Sequence, residues 1–228
     1  MKIKSILSLL FLAVLLAGFS SCGSDELTDK DYFADLVTYT SSGDGSTFTL
    51  IEKDNADPVV LTTTRKLGSE FHTGERVYIV YAPESGERLK SGPVDLLSVS
   101  KVYGEGDAPE DGTAASTDNW ASDPITLGNM YLSSTYLNIL FSGSIGNGEP
   151  LIHLYADVAT LDNDYPELHF TYGPRKDFAT RDVVYICSYN LETIFDRSTC
   201  KGVKIYMNAP ANECTTFQNP RQSIKPAN

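Results

Sequence analysis

Basic residues are scarce in this chain. Eighteen Lys and Arg stand against 30 Asp and Glu, for a formal net charge of −12 at pH 7. The bases form no stripe anywhere, and phosphate binding rests on clustered Lys and Arg. Nucleic acid is therefore excluded as a partner. Histidine is scarcer, with His72, His153 and His169 the only three. They come from different regions, so no metal site is expected. Four cysteines show no Cys-x-x-Cys pair, which removes the common zinc arrangement. There is no Gly-x-Ser-x-Gly elbow, no His-Glu-x-x-His, no P-loop and no dinucleotide fingerprint. Gly143–Gly148 has spaced glycines but lies between two strand patterns, whereas a phosphate cradle needs a following helix N-terminus. A long amphipathic helical pattern and an internal repeat are also missing. No cofactor and no catalytic residue is expected.

What the chain does have begins at its start. Lys2 and Lys4 precede a run from Ile6 to Ala17 that is apolar except for Ser8. That run is too short to cross a bilayer, which needs about 20 residues. A basic segment, a short apolar segment and the small residues of Gly18-Phe19-Ser20-Ser21 describe a secretory signal. The signal ends on Cys22 and resembles that of a bacterial lipoprotein, in which residues 1–21 are removed and Cys22 is acylated. Phe19 stands where such signals prefer Leu. Acyl chains bury at roughly 0.8 kcal/mol per methylene, and two or more make a stable anchor. Removing residues 1–21 takes away two lysines and no acid, which moves the net charge from −12 to −14.

The remaining sequence is strand-like. Thirteen Tyr and ten Phe, with many Thr and Val, suit pleated, half-buried surfaces. Residues 22–31 are a polar tether. Phe33–Thr40, Thr47–Glu52, Val59–Thr63, Arg76–Tyr81 and Leu96–Tyr103 then read as five strands of a first domain, 32–103. Arg76–Tyr81 is apolar on both faces and so central. Five short strands suit a small barrel, although strand order alone leaves a small sandwich open. Residues 104–122 are acidic, with alanines nearly the only apolar side chains before Trp120, and read as a linker or long loop. Clustered carboxylates also attract calcium, but no Asp-x-Asp-x-Asp-Gly register is present.

The second domain, 123–217, has strands at Met130–Ser133, Tyr136–Ser142, Leu151–Val158, Leu168–Tyr172, Val183–Asn190, Val203–Met207 and Glu213–Phe217. Asn147-Gly148 is the strongest hairpin turn signal, with Leu151–Val158 pairing back across it. Short strands at this spacing argue an antiparallel β-sandwich. The tail 218–228 reads as loose. If Cys22 is acylated, three thiols remain. Cys200 and Cys214 lie symmetrically about Met207, so a hairpin there would set them opposite each other as a candidate disulfide. Cys187, among tyrosines and aliphatics, reads as a buried small hydrophobe.

Few residues suggest chemistry. His153 and Asp157 are four apart on one strand, hence on one side, and such a pair can orient an imidazole for acid–base work. A half-buried strand histidine is the plainer reading. His169 is expected to point outward and His72 to lie in a loop. Tyr32, Tyr39, Tyr78, Tyr81 and Trp120 are candidates for stacking on a sugar, although most strand aromatics simply pack.

The order of features resembles the NigD-like lipoproteins of Bacteroidetes. The resemblance is carried by Ser21-Cys22, by Arg76–Tyr81, and by Asn119–Ile125 with Gly128-Asn129-Met130-Tyr131. Tyr136–Ile139, Ile152-His153-Leu154 and Ser188–Leu191 then follow in order. The family often has Trp where Tyr131 stands here, and the C-terminal cysteines are extra. The resemblance implies an all-β chain, an OB-like barrel followed by a β-sandwich, in a family without an assigned biochemical role. Gly23-Ser24-Asp25-Glu26 is similar to the surface-export signal of such lipoproteins. The expectation is an outer-membrane lipoprotein, membrane-bound through its lipid and surface-exposed. It would act as a non-enzymatic module for a protein or glycan partner, the alternative being a glycan-binding accessory lipoprotein. Replacing Cys22 with Ser should release the protein into the soluble fraction of lysed cells. Retention of Cys22→Ser in the membrane pellet would show that acylation is not the anchor.

Overall fold

The computed structural model describes residues 30–53, 56–104, 110–112, 122–145, 148–173, 181–210 and 213–222. Cys22, Trp120 and Asn147 lie outside these residues. The first five strands are Phe33–Ser42 (β1), Gly45–Leu50 (β2), Val59–Thr63 (β3), Arg76–Pro83 (β4) and Gly92–Lys101 (β5). They close into a barrel in the order β1-β2-β3-β5-β4. The closing pair is β1 with β4, antiparallel, with Val37 opposite Val77. β3 and β5 join in parallel. Closure decides for the OB-like barrel over a small sandwich, and it removes unpaired strand edges. Val37, Phe48, Leu61, Val77, Ile79 and Tyr81 fill the interior and are almost wholly buried. β4 pairs with β1 on one side and β5 on the other, as every strand of a closed barrel has two neighbours, so the sequence-expected central position does not distinguish it. At Gly45 a Cβ would stand 2.0 Å from the carbonyl oxygen of Thr63, so only glycine lets β2 start this close to β3.

The remaining strands are Glu110–Gly112 (β6), Thr126–Ser133 (β7), Tyr136–Ile145 (β8), Leu151–Asp157 (β9), Glu167–Gly173 (β10), Arg181–Asn190 (β11), Gly202–Met207 (β12) and Cys214–Gln218 (β13). They form a three-stranded sheet, β11-β8-β7, and a five-stranded sheet, β13-β12-β10-β9-β6. Leu137, Ile139 and Phe141 of β8 and Leu168, Phe170 and Tyr172 of β10 belong to one buried cluster. Phe141 meets Phe170 and Tyr172 edge-on, with ring centroids 5.2 and 5.3 Å away.

Four expectations change. First, β8 and β9 do not form a hairpin. β8 is flanked by β7 and β11, so both its hydrogen-bonding sides are taken and the chain crosses to the other sheet. Second, the 104–122 segment is not all linker, because β6 adds to the five-stranded sheet in parallel with β9. Third, Cys200 and Cys214 are free thiols. In the β12–β13 hairpin Tyr206 stands opposite Cys214 and Gly202 opposite Gln218. The reversal is thus centred beyond Met207, and the register carries Cys200 past Cys214. Cys200 is buried, with its Sγ 3.2 Å from the carbonyl oxygen of Gly202, while Cys214 is exposed.

The fourth change concerns the tail, which is pinned as far as residue 222. The four-residue helix α1, Glu192–Phe195, ends beside it. Asn219 is 2 % exposed. Its amide donates to the carbonyls of Phe195 and Cys200, each at 2.9 Å. Arg221 bridges to Asp196 and Glu192, and Gln222 donates to the Cys200 carbonyl at 2.7 Å. Removing a donor from buried acceptors costs about 1–3 kcal/mol. Asn219→Ala is expected to lower stability by that amount in urea denaturation, whereas an unchanged midpoint would mean that the tail contributes nothing.

Candidate functional site

The sequence-based candidates mostly resolve into packing. Tyr39 and Tyr81 are core residues of the barrel, 3 % and 0 % exposed. The Tyr81 hydroxyl donates to buried Asp35 at 2.9 Å, and Arg88 pairs with the same carboxylate. Burial together with the Asp35 charge raises the Tyr81 pKa. His72 is exposed in a loop beside Glu75. Cys187 is fully buried, and burial pushes its thiol well up, the opposite of an activated nucleophile. Asp157 accepts from the Ala159 amide at 3.0 Å and starts a short 3-10 turn, while the His153 ring stacks on Tyr155 with centroids 5.5 Å apart.

Aromatic and polar side chains gather on the outer face of the five-stranded sheet. His169 on β10 pairs in register with Tyr155 of antiparallel β9 and with Tyr206 of parallel β12. Cys214 of β13 stands opposite Tyr206. Side chains in register across a sheet share a face, so Tyr155, His169, Tyr206 and Cys214 form one row. The His169 and Tyr206 rings stack at 5.1 Å and 13°. All three rings are half-buried. Beside the row, Glu167 accepts from Lys204 at 3.2 Å and from the Tyr206 hydroxyl at 3.4 Å. Burial, with the Glu167 carboxylate adding to it, pushes the Tyr206 hydroxyl up to about 12. Burial lowers the His169 pKa against the pull of Asp157 and Glu167, so the imidazole is neutral at pH 7. A cavity of about 340 Å³ opens at this end of the sheet, lined by His169, Tyr206, Asn208, Glu213 and Ser122 among others. Its chemistry is that of a contact surface of hydrogen-bonding groups, one carboxylate and π faces. Among the described residues no group of three or more His, Cys, Asp or Glu could hold a metal ion.

The row was not legible in the sequence. His169 and Tyr206 are brought together by a parallel pairing that skips over β11 and α1, and nothing in a single strand announces such a neighbour. Alternation did place His169 opposite Leu168 and Phe170, which is where it lies.

A second polar cluster joins the barrel to the sandwich. Arg76 of β4 is 3 % exposed. Its Nε donates to Ser188 Oγ of β11 at 3.2 Å, and its Nη2 to the Leu36 carbonyl at 3.1 Å. Its guanidinium carbon sits 4.4 Å from the ring centroid of Tyr136 on β8, a cation–π contact. Burial drags its pKa down to about 10, so the group stays charged at neutral pH.

These features can be set beside known proteins. Residues 108–219 match the family model described as the NigD-like C-terminal beta sandwich domain. The matched span takes in β6, inside the segment expected to be a linker. No curated protein matches the sequence. Among solved structures, a protein of unknown function from Bacteroides vulgatus is similar over 82 % of this chain and 90 % of its own, at 18 % identity and TM-score 0.61. A Bacteroides fragilis protein provisionally described as a lipoprotein is similar over 82 % and 96 %, at 10 % identity and TM-score 0.56. A NigD-like immunity protein from Bacteroides caccae is similar over 81 % and 91 %, at 15 % identity and TM-score 0.55. At these identities the likeness is one of fold, and it spans both barrel and sandwich. Residues 108–219, the sandwich part of the chain, are thus a NigD-like C-terminal beta sandwich domain.

Proposed function

We propose that this chain is a cell-envelope lipoprotein, held at the outer membrane by acylated Cys22. It acts as a non-enzymatic binding module through the outer face of its five-stranded sheet. The observation that carries the reading is the row Tyr155–His169–Tyr206, half out of water and flanked by the cavity at Glu213 and Asn208. Aromatic side chains supply large contact areas at low entropic cost and are enriched where proteins meet. The envelope part is supported by the signal ending on Cys22 and by the neighbour provisionally described as a lipoprotein. A protein partner is supported by the neighbour described as an immunity protein. The non-enzymatic reading is supported by Asp157, whose carboxylate caps a turn.

A second reading, glycan binding, is favoured by the same row, because sugars stack on aromatic faces. It is weakened by the close stacking of His169 on Tyr206, which uses one face of each ring. A photo-crosslinking residue placed at Thr216 or at Tyr155, in intact cells making the full chain, separates these readings. Both positions should yield a discrete adduct, and the same residue at exposed Val184 on the other sheet should yield none. A protease-sensitive adduct identifies a protein partner and a glycosidase-sensitive one a sugar. Equal labelling from all three positions, or from none, would sink the assignment of this face.

A further inference from the structure

We infer that Arg76 is a clasp that makes the barrel and the sandwich one cooperative unit, so that neither lobe opens or unfolds alone. The clasp reaches through the whole three-stranded sheet. From Arg76 on β4 the first hydrogen bond goes to Ser188 on β11. Ser188 Oγ donates to Asn138 Oδ1 on β8 at 2.9 Å, and Asn138 Nδ2 donates to Ser133 Oγ on β7 at 3.1 Å. Arg76, Ser188, Asn138 and Ser133 are all buried, Ser188 and Asn138 at 0 % exposure. The relay therefore touches every strand of the sheet and ends in the barrel wall, where Arg76 also holds the Leu36 carbonyl and lies 3.4 Å from Thr38 Oγ1.

The acceptors of Arg76 decide what kind of joint this is. Its hydrogen-bond partners are a serine, a threonine and a backbone carbonyl, with no carboxylate among them in the described residues. A buried charge so held adds little net stability but penalises every arrangement that leaves it half-satisfied. The guanidinium fork fits one docking register of the lobes and no neighbouring one. A second strap runs beside it. Tyr103, just after β5, forms a parallel bridge with Cys187. Its amide donates to Ile186 at 2.8 Å and its carbonyl accepts from Ser188 at 2.9 Å. Ser188 is thus held through its backbone by the chain leaving the barrel and through its side chain by the barrel wall. At Gly104 a Cβ would come 2.5 Å from the Tyr189 ring, so the strap is tight against β11.

Hydrogen exchange followed by mass spectrometry on the full chain, across a urea series, tests this. In the unaltered protein, peptides covering β4 and peptides covering β8 should lose protection at one shared urea concentration, as parts of a single cooperative unit do. In Arg76→Ala the two should separate. Barrel protection should fall by roughly tenfold or more relative to the sandwich, the scale set by losing one or two buried hydrogen bonds. Arg76→Lys, which keeps the charge without the fork, should also separate them and covers the case in which the alanine variant fails to fold. Two transitions in the unaltered protein would overturn the inference. So would either variant in which both lobes weaken together, since Arg76 would then be an ordinary stabilising residue.

Discussion

A charged group hidden from water between two packed lobes constrains everything around it. Arg76 leaves the barrel on the outer face of β4, between residues whose inner neighbours fill the core. Its position obliges the facing sheet to present an oxygen at Ser188 and a ring at Tyr136. Those in turn fix the register of β11 against β8, where Ser188 stands opposite Asn138 and Asn190 opposite Tyr136. A one-residue slip would turn Cys187 and Tyr189 outward and leave the guanidinium facing apolar carbons. The orientation of the sandwich, and hence the direction in which its other sheet looks, follows from that docking together with the Tyr103 strap.

On the proposed reading, the other sheet is the one that meets a partner. The three-stranded sheet carries the barrel contacts at Ser188 and Tyr136, and its β11 edge is covered by Tyr103. The five-stranded sheet turns its row of Tyr155, His169 and Tyr206 the other way, across the sandwich core from β8. Ser188, Asn138 and Ser133 of the one sheet are bonded to one another out of water, whereas Tyr155, His169 and Tyr206 of the other are half-buried.

Much of this was written locally. β3 falls where the sequence placed it, at Val59–Thr63, and β4 begins at Arg76 as expected, because alternation and turn residues are nearest-neighbour signals. What failed depended on distant partners. Asn147-Gly148 promised a hairpin, but β8 had already been claimed on both sides by β7 and β11. Cys200 and Cys214 looked symmetric about Met207, yet the register of β12 with β13 puts Tyr206 opposite Cys214. Asn219 seemed part of a loose end because its acceptors, Phe195 and Cys200, lie about twenty residues upstream in α1 and in the loop after it. The aromatic row and the clasp were hidden for the same reason. Arg76 read as the first residue of a strand, and its partner Ser188 lies 112 residues away.

The unpaired state of Cys214 has a practical corollary. Cys187 and Cys200 are shielded while Cys214 is exposed, so among the described residues it is the one thiol open to solvent. It also lies at the end of the aromatic row, opposite Tyr206. Among the described residues a single chemical handle therefore stands at the rim of the proposed binding face, where a dye or spin label would report on whatever approaches it.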